Sequence, residues 1–113
     1  MKFNKKRPPR EFRVGLGDQI VIKDCGNVHL KPDEQITFIT SDGKEYDVAR
    51  KDWGFYATPS MNGRLTNQGF KTALVKNDNG MYYIMLVDKN KITLFENYLS
   101  QEKNYLVKWL DEM

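Results

Sequence analysis

The longest uninterrupted apolar run of the chain is the segment Met81–Val87. It follows Asn79-Gly80, a dipeptide that tolerates the positive φ angles of a tight two-residue hairpin turn. In that register Val75 faces Ile84 across the hairpin. Because every position of the run is apolar, both faces of the strand are expected to be covered. The pattern therefore predicts that this segment is the central strand of a sheet, with Leu74, Val75, Ile84 and Leu86 in the core.

Upstream of this hairpin, apolar and polar residues alternate with the period of a strand. Residues 35–40 and 44–50 flank Asp42-Gly43, which predicts a second hairpin with one face toward solvent. Residues 53–58 continue as a strand that stops at Pro59, because proline lacks the N–H needed for the ladder. Residues 15–18 are typical of a turn. A strand over residues 20–24, a Gly-Asn turn at 26–27 and a short strand at 28–30 are expected to form one more hairpin.

After Val87 the apolar period changes from 2 to 3.6 residues, which predicts a helix over residues 91–102. Alternation over residues 105–110 favours a last strand, with a continued helix as the alternative. We therefore predict an α+β fold: a mostly antiparallel, bent sheet or a small open β-barrel or roll of about six to eight strands, with one C-terminal helix. The rival architectures are a compact β-sandwich and a split sheet in which residues 105–110 are helical.

Charge is distributed unevenly along the chain. The 113 residues carry a formal net charge of +3, but the first 13 residues carry +5 and the remainder −2. Residues 1–10 combine this charge with Pro8-Pro9 and little apolar surface, which predicts a flexible basic tail. Residues 11–113 are then expected to form a single α+β domain.

The chain has one cysteine and no apolar run of the roughly 18 residues that span a bilayer. The basic start is not followed by the apolar segment of an export signal. These features predict a cytoplasmic protein without a membrane partner.

Asp24, Cys25 and His29 are the one group of potential nucleophiles and metal ligands close together in the sequence. A single cysteine and a single histidine exclude a paired-cysteine zinc framework and a His-rich site. We therefore expect a buried thiol, a surface histidine, and neither a metal nor a cofactor. No paired carboxylates, nucleophile motif or phosphate loop is present, so the sequence favours a non-enzymatic protein over an enzyme without a recognisable motif.

The most promising binding surface lies within residues 53–68, where aromatic rings, amides and a guanidinium group occur together. The loop at 59–69 is longer than the usual connection of about 4–6 residues. Such groups bind sugars, nucleotides or protein partners by stacking and directed hydrogen bonds. We expect Trp53 to face the core and Tyr56 to lie beside the loop. The candidate binding residues are Trp53, Tyr56, Asn62, Arg64 and Asn67.

The sequence thus predicts a binding or accessory module for a partner protein or a sugar- or nucleotide-like ligand. A second hypothesis is nucleic-acid binding by the basic tail, since a short basic segment neutralises phosphates. Its candidate residues are Lys5, Lys6, Arg7 and Arg10.

Overall fold

The structure, a computed structural model, describes all 113 residues. Its strands are β1 (Lys2–Val14), β2 (Ile20–His29), β3 (Gln35–Ile39), β4 (Glu45–Lys51), β5 (Gly54–Ala57), β6 (Phe70–Asn77), β7 (Tyr82–Asp88) and β8 (Asn104–Trp109). The helices are the single turn α1 (Arg64–Asn67) and the longer α2 (Ile92–Glu102). Short 3-10 turns lie at Leu16–Asp18, Lys89–Lys91 and Leu110–Glu112.

The strands form three antiparallel sheets and no closed barrel, with the longer helix near the C-terminus, so the predicted α+β class is confirmed. The sheet orders are β1-β2, β3-β4-β5 and β7-β6-β8. Residues 104–109 are a strand, as the alternation favoured. No helix is both long enough and apolar enough to cross a membrane.

The chain divides into two compact units, where the sequence predicted a single domain after the tail. The first unit comprises Met1–Ile36 and Val48–Tyr56, and the second comprises Thr37–Asp47 and Ala57–Met113. The first unit carries ten basic and six acidic side chains, a formal net charge of +4. The positive charge of the chain is therefore concentrated in the first unit.

Residues 1–10, predicted to be a flexible tail, instead form most of β1. This strand pairs antiparallel with β2, from Lys2 opposite His29 to Val14 opposite Ile20. The register shifts between Lys5 and Arg10, where Pro8-Pro9 provides no N–H for the ladder. The hairpin expected at residues 26–27 is also absent, because β2 runs through both residues and pairs with β1 instead. The segment has too little apolar surface to predict an ordered strand. Hydrogen bonds between its backbone and that of β2 order it.

In the second unit, β6 is the central strand and β7 is an edge strand, contrary to the sequence prediction. The core contains Ala73, Val75, Val87 and Leu99, and α2 covers this face of the sheet. Ile84 is 59% exposed and Leu74 and Leu86 are only partly buried, so of the four predicted core residues Val75 alone is fully buried. The apolar run predicts a strand with neighbours on both sides, but β8 pairs with β6 rather than with β7, which leaves β7 at the edge of the sheet.

The hairpin between β6 and β7 is present, but its register differs by one residue from the prediction. Ala73 lies opposite Met85, and the Asn77 N–H donates to the Met81 carbonyl oxygen at 3.0 Å. Three residues therefore form the loop, ending at Gly80 with a φ of 80°. A three-residue loop of this kind places a left-handed residue, usually glycine, at its last position. The sequence signal marked the turn correctly but not its length.

The long loop predicted at residues 59–69 contains α1. Leu65 of this turn is 1% exposed, and α1 contacts β6. Phe70 and Thr72, at the start of β6, are also buried. The loop is thus fixed to the second unit by a buried leucine.

Candidate functional site

Three aromatic side chains at the β4–β5 turn face solvent and form what we call the aromatic cluster: Trp53, Phe55 and Tyr56. They are 71%, 60% and 44% exposed, respectively. The prediction that Trp53 is a core residue is therefore wrong. Large aromatic rings are the side chains that gain most from burial, so a group of exposed ones marks a binding surface more strongly than single exposed rings do.

Within the cluster, the Trp53 and Tyr56 rings stack on each other. Their centroids are 5.9 Å apart and their planes are inclined by 30°. This offset arrangement stabilises both rings while a large part of each remains accessible. The pair forms a platform on which a planar or apolar ring face can stack.

Local sequence explains why the rings project at this point. The β4–β5 connection is a tight turn, after which Gly54 adopts a φ of 145°, a conformation that side chains other than glycine rarely adopt. The added Cβ of any other residue would meet nothing within 4 Å, so the backbone angle alone favours glycine. The turn and this glycine place Trp53 next to Tyr56.

Arg50 brings a positive charge to the same turn. Its guanidinium carbon lies 5.8 Å from the centroid of the Phe55 ring, within the range of a cation–π contact. The backbone of Arg50 is held by two hydrogen bonds, since its N–H donates to the Glu34 carbonyl oxygen and its own carbonyl oxygen accepts from the Asp33 N–H. The charged group therefore belongs to a fixed strand.

Arg64 has a structural partner. Its Nη1 donates to Asp47 Oδ2 at 3.1 Å, and its Nη2 lies 3.4 Å from the Thr58 hydroxyl oxygen. Asp47 is buried and also accepts the Thr37 hydroxyl at 2.5 Å. The Thr37 hydrogen bond and the Arg64 guanidinium lower the pKa of Asp47, against the opposing effect of burial. Arg64 thus fixes its own loop to a buried carboxylate, although half of its side chain remains exposed.

The five predicted binding residues are divided between the two units. Trp53 and Tyr56 belong to the first unit, while Asn62, Arg64 and Asn67 belong to the second. Asn62 and Asn67 are exposed. Within the first unit, the Trp53 and Tyr56 rings are in direct contact.

Two further residues of the first unit belong to this surface but are not among the five candidate binding residues: Phe55, which lies within the predicted range 53–68, and Arg50, which lies just before it. Phe55 and Tyr56 lie on opposite faces of β5, and both are exposed. The sequence feature that identifies both residues is the clustering of aromatic and charged side chains, since three aromatic rings and a guanidinium group occur within seven residues.

A cavity of about 560 Å³ lies elsewhere, in the second unit, between α2 and β8. Its apolar lining includes Phe95, Leu99, Leu106 and Trp109, and Glu96 is among its polar residues. None of the five predicted binding residues lines this cavity. Phe55 and Arg50 do not line this cavity either.

The four basic residues of the nucleic-acid hypothesis lie on β1, and two of them are paired. Lys6 Nζ lies 2.5 Å from Asp24 Oδ2, and Arg10 Nε lies 3.4 Å from the same oxygen. The hydrogen bond from Lys6 is the main reason that the pKa of Asp24 is lowered. Lys5 and Arg7 form no ion pair, so they are the members of the set with uncompensated charge.

Cys25 is exposed, so the predicted burial of its thiol is wrong. Its Sγ lies 3.5 Å from the Lys23 carbonyl oxygen, and His29 Nε2 lies 3.1 Å from Asn4 Nδ2. The thiol and the imidazole therefore have separate partners. No group of three or more histidine, cysteine, aspartate or glutamate side chains is arranged to hold a metal ion.

No protein-family model, curated protein or solved structure matches the chain.

Proposed function

We propose that this protein is a non-enzymatic binding module and that the aromatic cluster is its ligand-binding surface. The observation that carries the proposal is the stacked, exposed pair of Trp53 and Tyr56. The ligand is a molecule that presents a flat ring face, either a sugar or a nucleobase. A cytoplasmic location, proposed from the single cysteine of the chain, is compatible with both ligand types.

The charge of the surrounding unit supports a nucleotide over a neutral sugar. The first unit has a net charge of +4, and Arg50 lies beside Phe55. Stacking of a base on an aromatic side chain contributes about 1–3 kcal/mol per base, and a guanidinium group adds electrostatic attraction to phosphate. A nucleotide is therefore expected to bind more tightly than a sugar of similar size.

A screen by thermal shift tests the proposal. The probes are the four ribonucleoside monophosphates, oligothymidylate, glucose, galactose and N-acetylglucosamine. At least one probe is expected to raise the melting temperature of the wild type, because a ligand that binds only the native state stabilises it. Trp53→Ala and Tyr56→Ala should abolish that shift with little loss of intrinsic stability.

Phe38→Ala is the matched control. Phe38 is 54% exposed, in the range of the cluster residues, but it takes part in no ring stacking. This variant should retain the shift. If Phe38→Ala and Trp53→Ala lose binding equally, or if the probes that bind do so independently of Trp53, the aromatic cluster is not the binding surface.

A second candidate function is nucleic-acid binding by the strand pair β1–β2. Lys2, Lys5 and Arg7 lie on this pair without ion-pair partners, and a two-stranded β-ribbon has a width that the major groove of DNA admits. Its affinity for an oligonucleotide should fall steeply with salt concentration. The double variant Lys5→Gln/Arg7→Gln should reduce both the affinity and the salt slope, whereas Lys103→Gln/Lys108→Gln in the second unit should change neither.

A further inference from the structure

The outer edge of β7 lacks the features that normally prevent strand edges from pairing. The one charged residue of β7 is Asp88 at its end, which is paired with Lys44, and the strand contains no proline. Tyr82 and Ile84 are 60% and 59% exposed. Natural proteins protect edge strands with charges, prolines, bulges or covering elements, because an open edge is a template for another strand. β7 is also seven residues long, so it is not one of the very short edge strands that are unsuited to pairing.

The opposite edge of the same sheet is different. β8 carries Lys108 in its exposed stretch, and its register with β6 shifts between Leu74 and Val75. A lysine and an irregular register are both features that disfavour pairing. Of the two edges of this sheet, β7 is therefore the one available to another strand.

The register of the β6–β7 hairpin determines which backbone groups are available. The Asn77–Met81 pair is hydrogen-bonded, and in an antiparallel ladder bonded and non-bonded pairs alternate. Tyr83 and Met85 therefore direct their N–H and C=O groups toward β6. Tyr82, Ile84 and Leu86 direct theirs away from the sheet.

We propose that β7 is a homodimer interface, at which it pairs antiparallel with β7 of a second copy across a two-fold axis at Ile84. With the axis at this position, Tyr82 lies opposite Leu86 of the other copy, and Ile84 lies opposite Ile84 of the other copy. All three residues whose backbone groups point away from the sheet are then paired. About six N–H···O bonds would form, one donated by each of these residues in the two strands. In this register Tyr82 of one copy is also the diagonal neighbour of Ile84 of the other, an aromatic–β-branched combination that stabilises sheets.

Charge at the two ends of β7 favours a second copy in the antiparallel orientation. Asp78 precedes the strand, and Lys89 and Lys91 follow it, all three exposed. An antiparallel pair brings Asp78 of each copy alongside the lysines of the other, twice by symmetry. A parallel pair in register would bring like charges together. The strand is therefore complementary to itself, which is the requirement for a two-fold interface.

Sedimentation velocity over a range of protein concentrations tests this proposal. The wild type should change from monomer to dimer as concentration rises. Ile84→Lys places two like charges across the axis and should be monomeric throughout. Because Ile84 is exposed, this variant should keep the wild-type circular dichroism spectrum and, at concentrations where the wild type is monomeric, the wild-type melting temperature. Val107→Lys on β8, where Val107 is 50% exposed, is the matched control and should still dimerise.

Hydrogen exchange of the wild type provides a test that needs no variant. The amides of Tyr82, Ile84 and Leu86 should become more protected as concentration rises. Those of Tyr83 and Met85, which bond to β6, should be protected at every concentration. A wild type that remains monomeric with constant exchange at these three amides would contradict the proposal. Loss of the dimer in Val107→Lys but not in Ile84→Lys would assign the interface to β8 instead.

Discussion

The ammonium group of Lys71 lies 2.9 Å from Oδ2 of Asp111, and Oδ1 of the same carboxylate accepts the backbone N–H of Thr72 at 3.0 Å. This arrangement fixes the last 3-10 turn of the chain to the central strand β6. The Asp111 side chain is only 4% exposed. Lys71 also lies 4.8 Å from the centroid of the Trp109 ring.

This pair predicts a defined pH dependence of stability. Burial alone would raise the pKa of Asp111, but the Lys71 and Thr72 hydrogen bonds lower it below its ordinary value. The stabilisation is therefore complete above the unfolded-state pKa of about 3.9 and is lost as pH falls through the lower folded-state pKa. Asp111→Asn should be less stable than the wild type at neutral pH, and its free energy of unfolding should fall less on acidification.

At alkaline pH the same contact acts through Lys71. The hydrogen bond to Asp111 is the main reason that the pKa of Lys71 is raised. Its stabilisation is present below the unfolded-state pKa of about 10.4 and is lost as pH rises through the higher folded-state value. Lys71→Met should therefore flatten the alkaline limb of the stability profile, measured by urea unfolding. An unchanged alkaline limb would show that the contact does not contribute in solution.

Arg64→Ala should destabilise the protein by about 1–3 kcal/mol, because it leaves the buried Asp47 carboxylate with one partner fewer. Asn62→Ala and Asn67→Ala remove exposed side chains from the same loop and should change stability by less than about 0.5 kcal/mol. Urea unfolding of the three variants measures the difference. Equal stability of all three would show that the Arg64–Asp47 contact does not fix the loop.

Two leucines of α2 test the position of the core. Leu99 is 7% exposed and packs in the core cluster, so Leu99→Ala should cost about 2–5 kcal/mol. Leu94 lies on the same helix but is 65% exposed, and Leu94→Ala should cost less than about 0.5 kcal/mol. Comparable losses in the two variants would mean that α2 packs on the sheet through a different face.

Hydrogen exchange should find the slowest amides in β6. This strand is hydrogen-bonded on both sides and contains Ala73 and Val75, which are fully buried. β1 and β2 pair only with each other, and a two-stranded sheet is marginally stable in isolation. Their amides should exchange faster through local opening. Slower exchange in β1–β2 than in β6 would contradict this order.

Local patterns in the sequence predicted most of the elements but not how the strands are ordered. The Asp42-Gly43 turn, the helix at residues 91–102 and the last strand all follow from short-range periodicity. The central position of β6 depends on β8 pairing with it, which links residues 27 to 36 positions apart. No local pattern at Met81–Val87 distinguishes a central strand from an unprotected edge, since an apolar run suits both.

The N-terminal segment shows a second limit of sequence reasoning. Its composition is that of a solvated tail, yet it forms a strand because β2 supplies a continuous backbone partner. The same limit applies to Trp53, for which alternation predicted burial. Position at a turn, together with the conformation of Gly54, places the ring in solvent instead.

The most direct test of the proposed function uses the indole N–H signals of the two tryptophans in a ¹H–¹⁵N spectrum. Trp53 is 71% exposed in the aromatic cluster, whereas Trp109 packs against the core of the second unit and serves as an internal control. Titration with the nucleotide and sugar probes should shift the Trp53 signal to saturation and leave the Trp109 signal in place. A probe that binds while shifting Trp109 alone, or a full set of probes that leaves Trp53 unchanged, would contradict the assignment of the aromatic cluster as the binding surface.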